Sequence, residues 1–268
     1  MIKICLAGIT GKVGQRLAEA IVPTADLQLV SAVSRSSAGK NLREVFSHIN
    51  SDIIVFGTVE EALKNNKVDV LIDYTSAEIV KKNVLAALEF NTNVVIGTSG
   101  LSDEDYTEIE KLALQKQVGV VAAGNFSLTA ALLQHIAQFV AQIIPSWELL
   151  DYAPPTKIDS PSGTTKELAY LLNKYAETNP PIKPDSAHNI AGSRGAILNN
   201  SHIHSIRIPG YLSGTEIQFG LNGERLTVRH EAIDSTPYVD GTLLATRKVC
   251  TVKGLYRGLG SLMQFDKR

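Results

Sequence analysis

Three glycines at three-residue intervals, Gly8, Gly11 and Gly14, stand between a short apolar run (IKICLA) and the start of a helical pattern. The first permits a tight turn, the second lets a pyrophosphate approach the backbone, and the third lets a helix pack closely on its strand with its N–H groups facing the anion. With Thr10, Lys12 and Val13 between them, these glycines form a candidate dinucleotide cradle, although such a trio is also compatible with an ordinary turn. The next apolar run ends Ser34-Arg35-Ser36-Ser37, without an acid. An acid there would bind the ribose hydroxyls of NAD, whereas a cation accommodates the 2′-phosphate of NADP. Ser34 and Arg35 therefore favour NADPH, with NADH as the alternative.

Three further runs end in small or polar residues: Asp73-Tyr74-Thr75, Gly97-Thr98-Ser99 and Gly124-Asn125-Phe126. Ligands of open α/β sheets sit at the carboxyl ends of strands, and small residues there let a nicotinamide ring reach the backbone. A different chemistry appears at Lys157-Ile-Asp-Ser-Pro-Ser-Gly-Thr164. Ser162, Gly163 and Thr164 offer hydroxyls and N–H groups at a helix start, an anion site suited to a carboxylate, and Lys157 can reach the same anion or donate a proton. The plain alternative is a helix cap preceded by a surface lysine.

The elements that must position these residues follow from hydrophobic periodicity. IKICLAG, LQLVSAVS, DIIVFG, VDVLIDYT, NVVIGTS and GVVAAG read as buried parallel strands. Between them, helical spacing runs from Val13 to Ala20 and after Thr58, Ser76 and Ser102. Thr58 and Glu61 have the spacing of a capping box, and Ser102 is followed by acids suited to a helix N-terminus. From Asn125 the texture changes to a long apolar helix closed by Pro145, then the helix KELAYLLNKYAE, a Pro-rich NPPIKP, and strand-like HIHSIRIPG, TEIQFGL and ERLTVRHEA. The tail from Pro237 to Met263 returns to helix. The expected architecture is α/β: a Rossmann-like parallel sheet from residues 1–124 with 236–268, and an α+β substrate-binding and oligomerisation domain from 125–235.

Composition narrows the partners. The 268 residues carry 26 Lys+Arg against 27 Asp+Glu, and only 6% are aromatic. No basic block is interleaved with rings, so nucleic acid is not an expected partner. No apolar run reaches about 18 residues, so no membrane span is expected either. Two cysteines make neither a disulfide framework nor a Cys-rich metal site, no histidine pair has metal spacing, and a GxSxG elbow is absent. His204 and His230 are expected to be structural. These features fit a cytoplasmic protein acting on a small molecule, without a metal.

Taken together, GxxGxxG, DYT, VVIGTSG, AGNFSL, KIDSPSGTT, IHSIRIPG and ERLTVRHEA, in this order, make the chain resemble the dihydrodipicolinate reductase family. The resemblance implies an N-terminal Rossmann domain, a C-terminal domain that also forms a homotetramer, and NADPH-dependent reduction of dehydrated 4-hydroxy-tetrahydrodipicolinate in diaminopimelate and lysine biosynthesis. It implies that Gly8, Gly11 and Gly14 hold pyrophosphate, Arg35 the 2′-phosphate, and Gly97, Thr98 and Ser99 the nicotinamide side. Asn125 and Phe126 become hinge and ring environment, Lys157 the catalytic lysine, and Ser162, Gly163 and Thr164 the carboxylate loop. One departure stands out. The family's His-His pair, three and four residues before the lysine, is replaced by Ala153 and Pro154, neither of which can transfer a proton. Lys157 and Tyr152 are then the candidate acids, provided the surroundings lower the pKa. A paralogue acting on another imine or enamine carboxylate, and a silent NADPH-binding homologue, are the alternatives this departure leaves open.

Overall fold

The computed structural model describes residues 1–49, 51–176, 190, 192–234 and 236–263. The first half forms β1 (Ile2–Ala7), α1 (Lys12–Ile21), β2 (Leu27–Val33), α2 (Leu42–Val45), β3 (Val55–Phe56), α3 (Val59–Asn65), β4 (Val70–Asp73), α4 (Val80–Glu89), β5 (Asn93–Ile96), α5 (Asp103–Lys116) and β6 (Gly119–Ala122). There follow α6 (Leu128–Ala141), β7 (Trp147–Ala153), α7 (Gly163–Ala176), β8 (Ala196–Leu198), β9 (Ser201–Arg207), β10 (Ser213–Leu221), β11 (Glu224–Ala232), α8 (Pro237–Val249) and β12 (Gly254–Arg257). The chain divides into two compact units, Met1–Phe126 with Ser235–Arg268, and Ser127–Asp234.

The first unit is a seven-stranded sheet in the order β12-β6-β5-β4-β1-β2-β3. Every neighbouring pair is parallel. The strand order reverses between β1 and β4, and in such sheets the crevice for a ligand lies at that reversal. Strands β4, β5 and β6 are four residues each and almost wholly buried, which is why their sequences are continuous in Val, Ile and Leu. One helical layer packs Val59, Leu63, Val84, Leu88 and Ile109 into the core shared with Leu71, Val94 and Val120. Cys5 lies within that core, and burial pushes its thiol up to about 12, so it is an inert packing residue.

Three local expectations change. The run DIIVFG yields only a two-residue strand, because β3 pairs β2 solely at Ala32 and Val33 while Ile54 turns to bridge Asn41 and is 43% exposed. The helical reading of the tail holds only to Val249. Gly254 then takes φ +82° and Gly254–Arg257 join the sheet edge beside β6. At α3, Thr58 accepts the Glu61 N–H, whereas the full reciprocal box forms at α5 between Ser102 and Asp105.

The second unit is a mixed five-stranded sheet in the order β11-β10-β7-β9-β8. β7 pairs β9 in parallel and β10 antiparallel. Helices α6 and α7 cover one face, where Leu133, Ala137, Leu168 and Leu172 meet Leu149, Ile203, Ile217 and Phe219. The α6 helix starts at its Ser127 cap and ends at Ala141, ahead of Pro145. The Pro-rich NPPIKP lies outside the described residues. Among the described residues no helix is long and apolar enough to cross a membrane.

Candidate functional site

The glycine loop follows β1 directly. Gly8 takes φ +83°, and a Cβ there would lie 2.1 Å from the Tyr74 carbonyl oxygen, so both conformation and space demand glycine. The N–H groups of Gly8 and Ile9 donate to the Val33 carbonyl, which ties the loop to the end of β2. Gly14 sits against Gly8: a Cβ there would be 2.2 Å from the Gly8 oxygen. Helix α1 follows its N-cap Gly11, with no side-chain cap and no acid in its first turn. The first-turn N–H groups of Lys12, Val13 and Gly14 are those that have no acceptor within a helix and are available to an anion.

Beside this loop lies a cavity of about 460 Å³, lined by Gly8, Thr10, Gly11, Ser34, Arg35, Tyr74 and Thr75 among others. It sits at the carboxyl ends of β1, β2 and β4, at the reversal of strand order. Ser34 is fixed by hydrogen bonds with Thr10 (3.1 Å) and Ser36 (3.2 Å), and Arg35 opens a short 3-10 turn at the cavity rim. Sequence reasoning missed Lys82 of α4, a second cation lining the cavity, and Glu60 of α3, an acid that also lines it. Neither stands in a motif, and only the fold brings α3 and α4 beside the end of β2.

An adjoining cavity of about 230 Å³ is lined by Tyr74, Thr75, Gly97, Thr98 and Ser99. Asp73, wholly buried at the end of β4, organises it. Its Oδ1 accepts from Thr98 Oγ1 (2.6 Å), Thr75 Oγ1 (2.7 Å) and the Thr75 N–H (3.0 Å), and its Oδ2 accepts from Asn83 Nδ2 (2.8 Å). An acid ending an otherwise apolar buried strand was the signal in the sequence. Gly97 is required because a Cβ would strike the Tyr74 ring at 2.2 Å. Tyr74 is held there by its hydroxyl on Thr242 (2.7 Å), and burial raises its pKa. Gly124 and the buried Asn125 and Phe126 follow β6, with the Phe126 ring tilted against Tyr74 at 6.1 Å. The glycine loop, Arg35, Tyr74, Thr75 and the Gly97–Ser99 segment thus converge on two adjacent cavities.

In the second unit, β7 leads through a turn closed by the Lys157 N–H on the Pro154 carbonyl, and the chain then enters α7 at Gly163. Lys157 is one-third exposed and its Nζ pairs with Asp159 at 2.8 Å; that hydrogen bond holds the Asp159 carboxyl below its ordinary range. Ser162 is buried, and its Oγ accepts the Thr165 N–H at 3.4 Å. Gly163 is exposed and helical, and a Cβ built on it meets no heavy atom of the described residues within 4 Å.

Tyr152 does not meet the condition set for an acid. Its hydroxyl donates to Glu216 (3.1 Å), and burial together with that carboxylate pushes its pKa up to about 12 rather than down. The Tyr152 ring clusters with the Tyr211 ring at 4.9 Å and the Arg229 guanidinium at 4.5 Å, and that guanidinium also lies 5.8 Å from the Tyr211 ring. Ala153 is buried in register with Arg207 of β9. His204 bonds Glu148 (2.7 Å) and His230 bonds Thr129 (2.9 Å), both on β-strands. Among the described residues no group of three His, Cys, Asp or Glu side chains could hold a metal ion.

Comparison with known proteins agrees across the chain. Residues 2–126 match the family model for the N-terminus of dihydrodipicolinate reductase, and residues 126–262 the model for its C-terminus. The chain is 33% identical over 262 residues to the 4-hydroxy-tetrahydrodipicolinate reductase of Bacillus velezensis, covering 98% of each protein. It is 33% identical over 261 residues to that of Syntrophomonas wolfei, covering 97% of this chain and 98% of the other. A solved structure, the dipicolinate-bound dihydrodipicolinate reductase of Paenisporosarcina sp. TG-14, superposes with a TM-score of 0.86 at 28% identity, covering 98% of this chain and all of that one.

Proposed function

The chain belongs to the dihydrodipicolinate reductase family of pyridine-nucleotide-dependent oxidoreductases, and from that premise we propose that it reduces dehydrated 4-hydroxy-tetrahydrodipicolinate to tetrahydrodipicolinate with NADPH, a step of diaminopimelate and lysine biosynthesis. The observation that carries the reading is the pairing, in a chain matched by this family from residue 2 to 262, of a glycine-built cavity at the strand reversal with a lysine-bearing loop that opens onto a helix N-terminus. The cavity fits a dinucleotide: Gly8 has the backbone only glycine adopts easily, and its loop faces an uncapped helix start.

A nicotinamide nucleotide, when bound, supplies a hydride to an electrophilic carbon of the substrate. The residues of this chain do the rest. Gly8, Gly11 and Gly14, with the first turn of α1, receive the pyrophosphate. Ser34 and Arg35 receive the 2′-phosphate, which makes NADPH the preferred form and NADH the weaker one. Thr75, Thr98 and Ser99, fixed through Asp73, border the nicotinamide side. In the second unit the Gly163 and Thr164 N–H groups and the Ser162 loop hold a substrate carboxylate, the open space over Gly163 supporting close approach. Lys157 Nζ leaves Asp159 to give a hydrogen bond or the proton to the substrate atom that gains electron density. The substrate is a small carboxylate, and the reading includes a cytoplasmic homotetramer, measurable by light scattering.

Ala153 and Pro154 favour one second reading, a different imine or enamine carboxylate as substrate. Steady-state NADPH oxidation with the freshly generated pathway intermediate separates them. Turnover supports the first; NADPH binding without turnover on that intermediate sinks it, and turnover on a panel of cyclic imino acids then establishes the second. Binding without turnover on any of them identifies a silent NADPH-binding homologue.

A further inference from the structure

The carboxylate loop rests on a charge that none of the site assignments uses. Asp151, in β7 two residues before Ala153, has no exposed surface. Its Oδ2 accepts the Ser162 N–H at 2.9 Å, and its Oδ1 accepts Thr165 Oγ1 at 3.0 Å. Both donors belong to the start of α7. Arg207 completes the arrangement from β9: Nη2 donates to Asp151 Oδ2 (2.6 Å) and to the Asp159 carbonyl (2.9 Å), while Nη1 donates to the Asp151 carbonyl (3.1 Å). One guanidinium therefore grips the strand before the loop and the loop itself. Asp151 grips the end of that loop where it becomes a helix. The Lys157 turn and the Ser162–Thr164 segment are both strung between these anchors.

Register explains why the pieces meet. Asp151 stands opposite Thr215 of β10 and Ser205 of β9, and Ala153 stands opposite Arg207. Thr215 Oγ1 lies 3.1 Å from Thr165 Oγ1, and Ser205 Oγ donates to Asp151 at 3.3 Å, so the carboxylate is saturated by donors from both sides. Desolvation pushes the Asp151 carboxyl up, but the hydrogen bonds from Ser162 and Arg207 outweigh it and hold the group below the usual carboxylate range.

We propose that Asp151, braced by Arg207, is the positioning residue that, by holding the Ser162 N–H, sets the Gly163 and Thr164 N–H groups and the Lys157 turn for the substrate's carboxylate. The inference rests on the reading of that loop as the substrate site. A buried ion pair adds little to net stability, whereas breaking it leaves an uncompensated charge. Its value here is geometric: without the Asp151 anchor the Ser162 N–H loses its acceptor and the loop loses one fixed end.

The test is Asp151→Asn, read by two binding constants and by turnover. The probe for the second unit is dipicolinate, the ligand named in the Paenisporosarcina structure. The expected result is a folded protein with an NADPH dissociation constant within twofold of the parent. Its dipicolinate dissociation constant and substrate KM are at least tenfold higher, and its kcat falls less than KM rises. Dipicolinate binding within twofold of the parent in a folded variant overturns the proposal. If Asp151→Asn does not fold, Arg207→Gln carries the same expectation and the same refutation. Failure of the parent protein itself to bind dipicolinate, with NADPH bound normally, overturns the underlying reading of the loop instead.

Discussion

Lys157 and Tyr152 stand five residues apart, and their surroundings separate their roles. Tyr152 gives its proton to a hydrogen bond with Glu216 and is pushed up to about 12, which makes it a poorer acid than a free phenol. Lys157 is on an accessible loop with one exchangeable partner, Asp159. Tyr152→Phe is therefore expected to keep kcat within a few-fold, while Lys157→Ala lowers it by roughly 10²-fold or more, the usual worth of a positioned acid. Steady-state kinetics on the two variants decides, and the reverse ordering would return the acid to Tyr152. Arg35→Ala is expected to weaken NADPH by about tenfold or more while leaving NADH nearly unchanged, since a charge-assisted hydrogen bond is worth about 1.5–3 kcal/mol. Equal losses in a fluorescence titration would refute the phosphate contact. Candidate residues of these kinds were legible in the sequence because type and spacing carry them. The state of Tyr152 was not, because Glu216 is 64 positions away and meets it only through strand pairing.

Elements show the same division. The buried strands were readable since each is a short unbroken apolar run, and α5 was readable from Ser102 and its acids. DIIVFG looked equivalent to the others but lies at a sheet edge, where only two of its residues find a partner strand. β12 escaped because GLYR has no hydrophobic alternation and becomes a strand only when β6 offers its free edge. The Asp151 anchor was hidden for a related reason: which residue of β9 stands opposite Ala153 is a matter of register. At this scale Gly163 offers a sharp test. Its Cβ position is empty, so Gly163→Ala fits the helix and is expected to raise stability by a few tenths to about 1 kcal/mol. The added methyl nevertheless intrudes where a carboxylate would approach, so KM should rise severalfold. Thermal melting and kinetics on one sample check both; a lower Tm with unchanged KM would show that the glycine serves the fold and not the ligand.

For the molecule as a whole, charge balance and composition pointed to a protein whose proposed anion recognition rests on a few placed groups, and the two units each have their own core. Stability should follow pH through groups buried in the second unit. His230 is buried, its Nε2 has no hydrogen-bond partner among the described residues, and desolvation lowers its pKa below 6.5. The unfolded chain takes up a proton near pH 6.5 that the folded chain refuses, so this contribution is full above that pH and declines as pH falls through the lowered value. Asp151, also held low, keeps its contribution down to the ordinary carboxylate range and loses it below. Unfolding free energy is therefore expected to decrease from neutral pH toward pH 5 and again below about pH 4. His230→Gln should flatten the first decline in denaturant titrations, and an unchanged slope would assign it to another group.

The placement of α8 and β12 in the first unit has a consequence for how the protein is made. Tyr74 leans on Thr242, Gly241 admits the Phe126 carbonyl where a Cβ would lie at 1.7 Å, and Gly119 packs under the Val249 and Val252 carbonyls. The ribosome therefore releases every residue of Ser127–Asp234 before it supplies the pieces that finish the earlier sheet. Until then the first sheet lacks its edge strand β12 and the covering helix α8. The first sheet is complete only in chains that have been translated past Arg257.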